Sequence, residues 1–161
     1  MTDPVSFRAI GTIRTPYRDV EGMPIQPASA VGTPGRIELD EELTEGLADV
    51  DAFSHLILVY HLHLITDMRL TVVPFLDHEP HGVFATRAPA RPNPIGLSVV
   101  RLVAIEGSTL DVLDVDMVDG TPLLDMKPYV PAFDAPDGAR IGWYAGRLEA
   151  LERARADDRF R

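Results

Sequence analysis

The sequence predicts a mainly β protein, an antiparallel β-barrel with a C-terminal helix and no Rossmann sheet. Roughly six or seven short apolar segments rich in β-branched residues are separated by turns of glycine, proline or aspartate. Helical periodicity is clearest in one segment near the end, residues 138–155. No glycine-rich turn joins a strand to a helix, which excludes a doubly wound nucleotide-binding fold.

Length and composition indicate one globular domain. The 161 residues, 45% hydrophobic and 25% charged, fit a single domain over 1–161 with a barrel core at 7–131. The absence of cysteine excludes a thiol nucleophile, a disulfide framework and a cysteine zinc site. The start, Met1-Thr2-Asp3-Pro4, lacks a signal peptide's features, so we expect a cytoplasmic protein that does not associate with membranes.

The first half of the chain contains three predicted strands and a long loop. The run at 53–65 is the most apolar and indicates a buried central strand. The loop at 17–35 is longer than compact domains usually contain, which favours a functional role. The remaining predicted elements are strands at 7–14 and 36–39 and a brief helix at 41–50.

The second half contains a predicted hairpin and the helix. Glu106-Gly107-Ser108 separates strands expected at 95–105 and 109–115. A short strand is expected at 82–86. The helix at 138–155 carries an apolar stripe, although glycines recur in it every four residues, at 138, 142 and 146.

Charge is unevenly distributed along the chain. The formal net charge of −10 argues against a surface that binds nucleic acid broadly. Residues 82–105 contain Arg87, Arg91 and Arg101 and no acid, whereas residues 106–126 contain six acids and no base. Two interpretations stay open: neighbouring strands with complementary faces, or an anion-binding loop beside a polar ligand pocket.

A proline-rich loop, residues 86–96, displays Arg87, Arg91 and Asn93. Its three prolines fix the backbone and make the loop rigid. A guanidinium presents a planar fork that suits a carboxylate or phosphate, so the loop is a candidate binding element. Alternatively, the two arginines pair with the acidic segment.

The segment 116–129 contains a second candidate motif. Its turn, Asp119-Gly120-Thr121-Pro122, could offer backbone groups to the edge of an adenine. Asp125 and Lys127 alternate, which places both side chains on one face of a strand, where they could pair.

Three histidines, His55, His61 and His63, would share one face if the apolar run stays a strand throughout. His61 and His63 could then chelate a metal, but no third ligand follows at an obvious spacing. We therefore expect no metal and place His63 in a ligand pocket instead.

Several motifs occur together in the order of a known family. The sequence resembles the TsaA-like, or TrmO, family over residues 7–131 through the following segments: Arg14-Thr15-Pro16-Tyr17, Phe53-Ser54-His55-Leu56, Val83-Phe84-Ala85-Thr86-Arg87, Arg91-Pro92-Asn93-Pro94-Ile95-Gly96-Leu97-Ser98, Val118-Asp119-Gly120-Thr121-Pro122 and Asp125-Met126-Lys127-Pro128-Tyr129. Members are β-barrel methyltransferases that use S-adenosylmethionine. Characterised members methylate N6 of threonylcarbamoyladenosine next to the tRNA anticodon, and longer bacterial ones carry a further C-terminal domain that helps to engage tRNA.

The resemblance implies the cofactor, partners and site residues. It implies that S-adenosylmethionine binds between the protomers of a homodimer and that tRNA is the methyl acceptor. The implied cofactor contacts are Pro24, Ile25, Gln26, His63, Leu64, Arg87, Leu97, Asp119, Gly120, Thr121, Pro122 and Leu123. Candidate acceptor contacts are Arg91, Asn93, Lys127 and Tyr129.

Methyl transfer from a sulfonium needs alignment and exclusion of water more than a strong acid or base. If a base is needed, His63 or a nearby carboxylate could serve. Three alternatives stay open: a methyltransferase for a small molecule, a metal-dependent small-barrel enzyme that uses His61 and His63, and a non-catalytic module that binds S-adenosylmethionine or RNA.

Overall fold

A computed structural model describes residues 2–25, 29–157 and 159, apart from the side chains of residues 152 and 153. The elements, in chain order, are strands β1 Gly11–Arg14, β2 Pro34–Leu39, β3 His55–His61, β4 Thr71–Val72, β5 His81–Gly82, β6 Ile95–Glu106, β7 Thr109–Leu113 and β8 Thr121–Pro128, and helix α1 Pro131–Asp134. Short 3-10 helices span Glu41–Leu47, Val50–Ala52, Val83–Ala85, Gly142–Tyr144 and Leu148–Arg153.

Six strands form a closed barrel in the order β1-β2-β7-β6-β3-β8, and β8 pairs with β1 to complete it. Each pair of neighbours in the barrel is antiparallel. The short strands β4 and β5 form a separate two-stranded sheet beside it. The predicted antiparallel β-barrel is therefore confirmed.

Alternating side chains fill the barrel interior. Along β3, Leu56, Leu58 and Tyr60 are buried, while the residues between them are partly exposed, as the two-residue period of a strand requires. The other strands contribute core side chains in the same way: Ile13, Ile37, Val100, Leu110, Val112 and Leu123. Because this interior is packed, a ligand site has to lie outside it.

A smaller apolar cluster joins the β4–β5 sheet to the proline-rich loop. Val72, Val83, Ala88 and Ala90 are buried together, with Ile65 and Phe75 packed against them. This cluster holds the loop beside one end of the barrel.

Most of the predicted strands are present, with different ends. The predicted hairpin is β6 and β7, and the central strand is β3, which ends at His61 rather than at residue 65. The strand predicted at 82–86 is wrong, because only Gly82 belongs to β5 and the chain then turns into a 3-10 helix.

The helix predicted at 138–155 does not form as an α-helix. Its glycines adopt left-handed backbone angles, with φ of 68° at Gly138, 56° at Gly142 and 76° at Gly146. Such residues interrupt a right-handed helix, so only the 3-10 helices Gly142–Tyr144 and Leu148–Arg153 form. In the described residues, no helix combines the length and hydrophobicity needed to cross a bilayer.

Candidate functional site

A pocket of about 380 Å³ lies at the end of the barrel where β3 finishes and β6 and β8 begin. The register places these strand ends together, since His61 pairs with Ile95 and Tyr60 pairs with Leu123. Segments outside the barrel form the other walls: Val20 with Met23–Ile25, Pro74–Leu76, Thr86–Pro89 with Arg91, and Trp143–Tyr144.

A buried hydrogen-bonded chain of three side chains lies where the barrel meets the pocket. The Ser98 hydroxyl donates to Asp116 Oδ1 at 2.6 Å, and the Tyr60 hydroxyl lies 2.8 Å from Ser98 Oγ. Since the single Ser98 proton is given to the carboxylate, Tyr60 is the donor to Ser98. Asp116 and Tyr60 line the pocket, although their exposed fractions are only 7% and 5%.

A glycine on the neighbouring strand makes room for the Tyr60 ring. Gly96 on β6 is paired with Tyr60 on β3. A Cβ at residue 96 would lie 2.1 Å from Cε2 of the Tyr60 ring, far inside contact distance. The glycine therefore sets the ring position and, through it, the hydrogen bond to Ser98.

Burial changes the acid–base behaviour of this chain of side chains. Burial raises the pKa of Asp116 to about 7, while the hydrogen bond from Ser98 and the charge of Arg87 act in the opposite direction. Burial, followed by the negative charge of Asp116, raises the pKa of Tyr60 far above its usual range. The pocket thus contains a neutral phenol and a carboxyl group that titrates near neutral pH.

Hydrogen bonds between side chains and backbone groups of the proline-rich loop hold the loop in place. Arg91 Nη1 donates to the carbonyl oxygens of Thr86 at 3.0 Å and Ala88 at 2.9 Å. The Thr86 hydroxyl donates to the Val83 carbonyl oxygen at 2.8 Å and accepts from Ala88 N–H at 3.2 Å. Arg91 therefore holds the loop closed at the edge of the pocket.

The arginines of the acid-free segment have different surroundings. Arg101 on β6 forms a two-pronged ion pair with Asp114, with Nη2 2.9 Å from Oδ1. This pair is the strand complementarity considered above. Arg87 lies in the pocket wall, where its charge partly offsets the burial that raises the pKa of Asp116.

The Asp119 turn is tied to β1 and the residues that follow it. Asp119 accepts from Thr15 N–H at 3.0 Å through Oδ1, and its own N–H donates to Tyr17 O at 2.7 Å. Gly120 N–H donates to Ile13 O at 3.0 Å. These three groups bond to the chain itself, and of residues 119–123 only Thr121 lines the pocket.

The expectation that three histidines share one face is wrong for His63, because the strand ends before it. His61 is exposed and lies outside the pocket walls, whereas His63 lines the pocket with its Nδ1 buried and without a hydrogen-bond partner. His55 Nδ1 lies 2.8 Å from Ser54 Oγ. In the described part of the chain, no three side chains among His, Asp and Glu are grouped to hold a metal.

The structure brings together some of the predicted site residues and separates others. Those in the pocket walls are Pro24, Ile25, His63, Leu64, Arg87, Arg91, Leu97 and Thr121. Those outside the walls are Asn93, Asp119, Gly120, Pro122, Leu123, Lys127 and Tyr129. Lys127 pairs with Asp125 at 2.7 Å, as predicted, and Tyr129 packs edge-on against His55. Gln26 lies outside the described residues.

A C-terminal segment that sequence reasoning assigned to a helix covers the pocket. Trp143 stacks on Tyr144 and His81, with ring centroids 4.0 Å and 4.7 Å away, and its Nε1 donates to Ala85 O at 2.7 Å. Further along, Ala156 exchanges 2.8 Å backbone hydrogen bonds with the loop that contains Gly22 and Met23.

Asp77 links the C-terminal segment to the β4–β5 sheet through two hydrogen bonds. It accepts from His81 Nε2 at 2.7 Å and from Arg147 Nη2 at 3.2 Å. The hydrogen bond from His81 lowers the pKa of Asp77 to about 2. The carboxylate is therefore charged at neutral pH and holds the 3-10 region against the β4–β5 sheet.

Sequence reasoning missed Tyr60, Ser98, Asp116 and Trp143 as site residues. The sequence did contain a signal that could have identified Asp116. It is an acidic residue among Val115, Met117 and Val118, and this apolar context predicts that it is buried. Another is that Trp143 is the single tryptophan in the sequence.

Comparison with known proteins gives consistent matches. The sequence model described as the tRNA-methyltransferase O N-terminal domain matches residues 12–135. A probable S-adenosyl-L-methionine-binding protein of Pyrococcus abyssi is 51% identical over 97% of this chain and 85% of its own length. The tRNA (adenine(37)-N6)-methyltransferase of Escherichia coli is 36% identical over 92% of this chain and 67% of its own.

A solved structure agrees with these matches. The crystal structure of TrmO from Pseudomonas aeruginosa superposes with a TM-score of 0.74 at 38% identity. The match covers 88% of this chain but only 63% of that one.

Proposed function

The chain belongs to the tRNA-methyltransferase O N-terminal domain family, and from this premise we propose that it methylates N6 of threonylcarbamoyladenosine in the anticodon loop of tRNA. Membership confirms the resemblance found in the sequence and makes the chain an S-adenosylmethionine-dependent methyltransferase. The particular acceptor, the assembly into dimers and a cytoplasmic location are parts of the proposal.

The observation that supports the proposal most is the pocket itself. It combines apolar and aromatic walls with a few convergent polar groups, as small-molecule sites generally do. His63 indicates that the pocket is built to hold a ligand. Its buried Nδ1 has no hydrogen-bond partner in the described residues, and a bound ligand would supply one. His63, Leu64 and Arg87 are three of the contacts that the family resemblance implies, and all three line this pocket.

S-adenosylmethionine supplies a methyl group attached to a positively charged sulfur. We assign to His63, Arg87 and the Thr121 region the binding and orientation of this cofactor. We assign to Trp143 and Tyr144, which also line the pocket, the exclusion of water from the reacting atoms.

The acceptor part of the proposal depends on a local basic region. Arg87 and Arg91 lie at the pocket on a chain whose formal net charge is −10. Phosphate contacts from few arginines give weak, salt-dependent binding. A splayed-out base of a single-stranded anticodon loop could then enter the pocket, since proteins read RNA mostly at such bases.

We further propose that the active form is a homodimer. Apolar side chains stand exposed at the rim of the pocket: Leu64 is 51% exposed, Leu97 49% and Ile95 43%. A second copy would cover them and complete the pocket walls. Multi-angle light scattering should give about twice the chain mass of 17.7 kDa, and a monomer that binds the cofactor fully would refute this part.

The proposed reaction is tested with labelled S-adenosylmethionine and tRNA from a strain that lacks the enzyme, followed by nucleoside analysis. We expect label in N6-methylated threonylcarbamoyladenosine, and none with an unmodified transcript of the same tRNA. Label that appears in a small metabolite instead would support the small-molecule alternative and overturn the tRNA assignment. If the protein binds S-adenosylmethionine but methylates neither acceptor, the result would support the alternative of a non-catalytic cofactor-binding module and overturn the proposed reaction.

A further inference from the structure

We propose that Asp116 is the catalytic group that accepts the N6 proton of the acceptor base during methyl transfer. This inference rests on the proposed function above. It assigns to one side chain the role of base that the sequence left open between His63 and a nearby carboxylate.

The acceptor chemistry calls for such a group. In threonylcarbamoyladenosine, N6 carries one hydrogen, and its lone pair is delocalised into both the purine ring and the carbamoyl group. This nitrogen is a poor nucleophile while it keeps its proton. A base that is positioned to remove that proton therefore increases the rate of methyl transfer more here than it would in the methylation of an ordinary amine.

The geometry provides a carboxylate in a suitable place. Asp116 lines the pocket between β7 and β8, and within the described residues Ser98 is the only side chain that donates a hydrogen bond to it, at Oδ1. The carboxylate also accepts a hydrogen bond from the Asp116 backbone N–H, and among the described residues it is the one acidic side chain in the pocket walls. Because Tyr60 in turn donates to Ser98, the carboxylate is held in a fixed orientation by two neutral hydroxyl groups.

Methyl transfer to N6 breaks one bond to the methyl carbon and forms another. A bond forms between N6 and the methyl carbon while the bond from that carbon to sulfur breaks, and the electron pair of the broken bond stays on sulfur. The N6 proton passes to the Asp116 carboxylate. The products are the N6-methylated base, S-adenosylhomocysteine and a protonated Asp116, which returns its proton to solvent when the products leave.

The surroundings of Asp116 keep part of it ionised near neutral pH. Tyr60 faces it from β3, Ser98 from β6 and Arg87 from the proline-rich loop, and His63 lines the same pocket. Burial raises the pKa of Asp116 to about 7, so it is a stronger base than an exposed carboxylate and is still charged in a large fraction of molecules.

The test measures single-turnover methylation of tRNA from a strain lacking the enzyme, at saturating S-adenosylmethionine, between pH 5.5 and 9. For the wild type, the logarithm of the rate should rise with pH and level off near pH 7. Asp116→Asn should lower the rate by about 10²–10⁴-fold and remove this inflection. Calorimetry should show that the variant binds S-adenosylmethionine within about twofold of the wild type, which separates a proton acceptor from a cofactor contact.

Two further variants make the result decisive. Asp111→Asn is the matched control, because Asp111 pairs with Arg36 on the exposed outer surface of the barrel, and its rate should not change. Ser98→Ala removes the hydrogen bond that lowers the pKa of Asp116, so its rate inflection should move to higher pH. This shift supports the inference even if Asp116→Asn fails to fold.

The inference is overturned if Asp116→Asn keeps the wild-type rate and pH profile, or if its defect disappears at saturating cofactor. An unchanged inflection in folded Ser98→Ala would also overturn it. A wild type that is inactive on this tRNA would instead refute the proposed function, and with it the assignment of an N6 proton.

Discussion

Replacing Asp116 with asparagine should increase the stability of the folded protein relative to the wild type as the pH rises from 5 to 8. The pKa of Asp116 is raised from 3.8 to about 7, chiefly because burial disfavours the charged form. Between these two values the folded chain holds a proton that the unfolded chain has released. The resulting stabilisation is fully present below about pH 4 and is lost as the pH rises through about 7.

The size of this effect follows from the two pKa values. The gap between 3.8 and about 7, at about 1.36 kcal/mol for each pKa unit, gives a total of about 4 kcal/mol. About 2–3 kcal/mol of this falls between pH 5 and pH 8. Asparagine has no proton to release, so its stability relative to the wild type should increase by that amount over the same interval.

Urea unfolding at pH 5, 6, 7 and 8 measures the difference directly, followed by circular dichroism and by the fluorescence of Trp143. A fixed cost of the substitution, such as a weaker hydrogen bond with Ser98, shifts all four values equally and does not affect the slope. Asp111→Asn, on the barrel surface, should run parallel to the wild type. A difference between Asp116→Asn and wild type that stays constant within about 0.5 kcal/mol, small beside the change expected from linkage, would refute the reasoning.

Three further predictions concern the walls of the pocket. Gly96→Ala places a Cβ 2.1 Å from the Tyr60 ring and should lower the free energy of unfolding by about 1–3 kcal/mol in urea titrations; Gly46→Ala, with open space around it, is the control and should be close to neutral. Arg87→Ala should weaken S-adenosylmethionine binding by about 1.5–3 kcal/mol in calorimetry, and unchanged affinity would remove Arg87 from the cofactor site. Because Trp143 is the single tryptophan and lines the pocket, S-adenosylmethionine should change the intrinsic emission on binding, and a flat titration at concentrations that saturate calorimetry would place the ligand elsewhere.

Local sequence signals were sufficient to predict much of the barrel. The Glu106-Gly107-Ser108 turn and its flanking apolar runs predicted the β6–β7 hairpin, because turn chemistry and strand alternation act over a few residues. The apolar stripe at 138–155 predicted a helix wrongly. Periodicity describes which faces are apolar but not whether each glycine adopts a left-handed conformation.

The site was harder to predict because its properties arise from long-range packing. Asp116 acquires its raised pKa from burial, which outweighs the opposing hydrogen bond from Ser98 on β6, and the sequence does not reveal that these residues are neighbours. His63 was placed in a pocket from the histidine pattern and again by the resemblance, but its separation from His61 follows from where β3 ends. Arg91 lines the pocket, as its prediction as a binding residue requires, but the sequence did not reveal that its Nη1 also bonds to the backbone of its own loop.

The packed interior of the barrel divides the molecule along its axis. Every described wall of the pocket belongs to one end, built from strand termini and the connections beyond them, while the sides of the barrel carry exposed ion pairs such as Arg36 with Asp111. Insertions or substitutions in those connections can reshape what enters the pocket without touching the strand register. Relatives on this scaffold can therefore diverge in the methyl acceptor they accept while the barrel beneath stays the same.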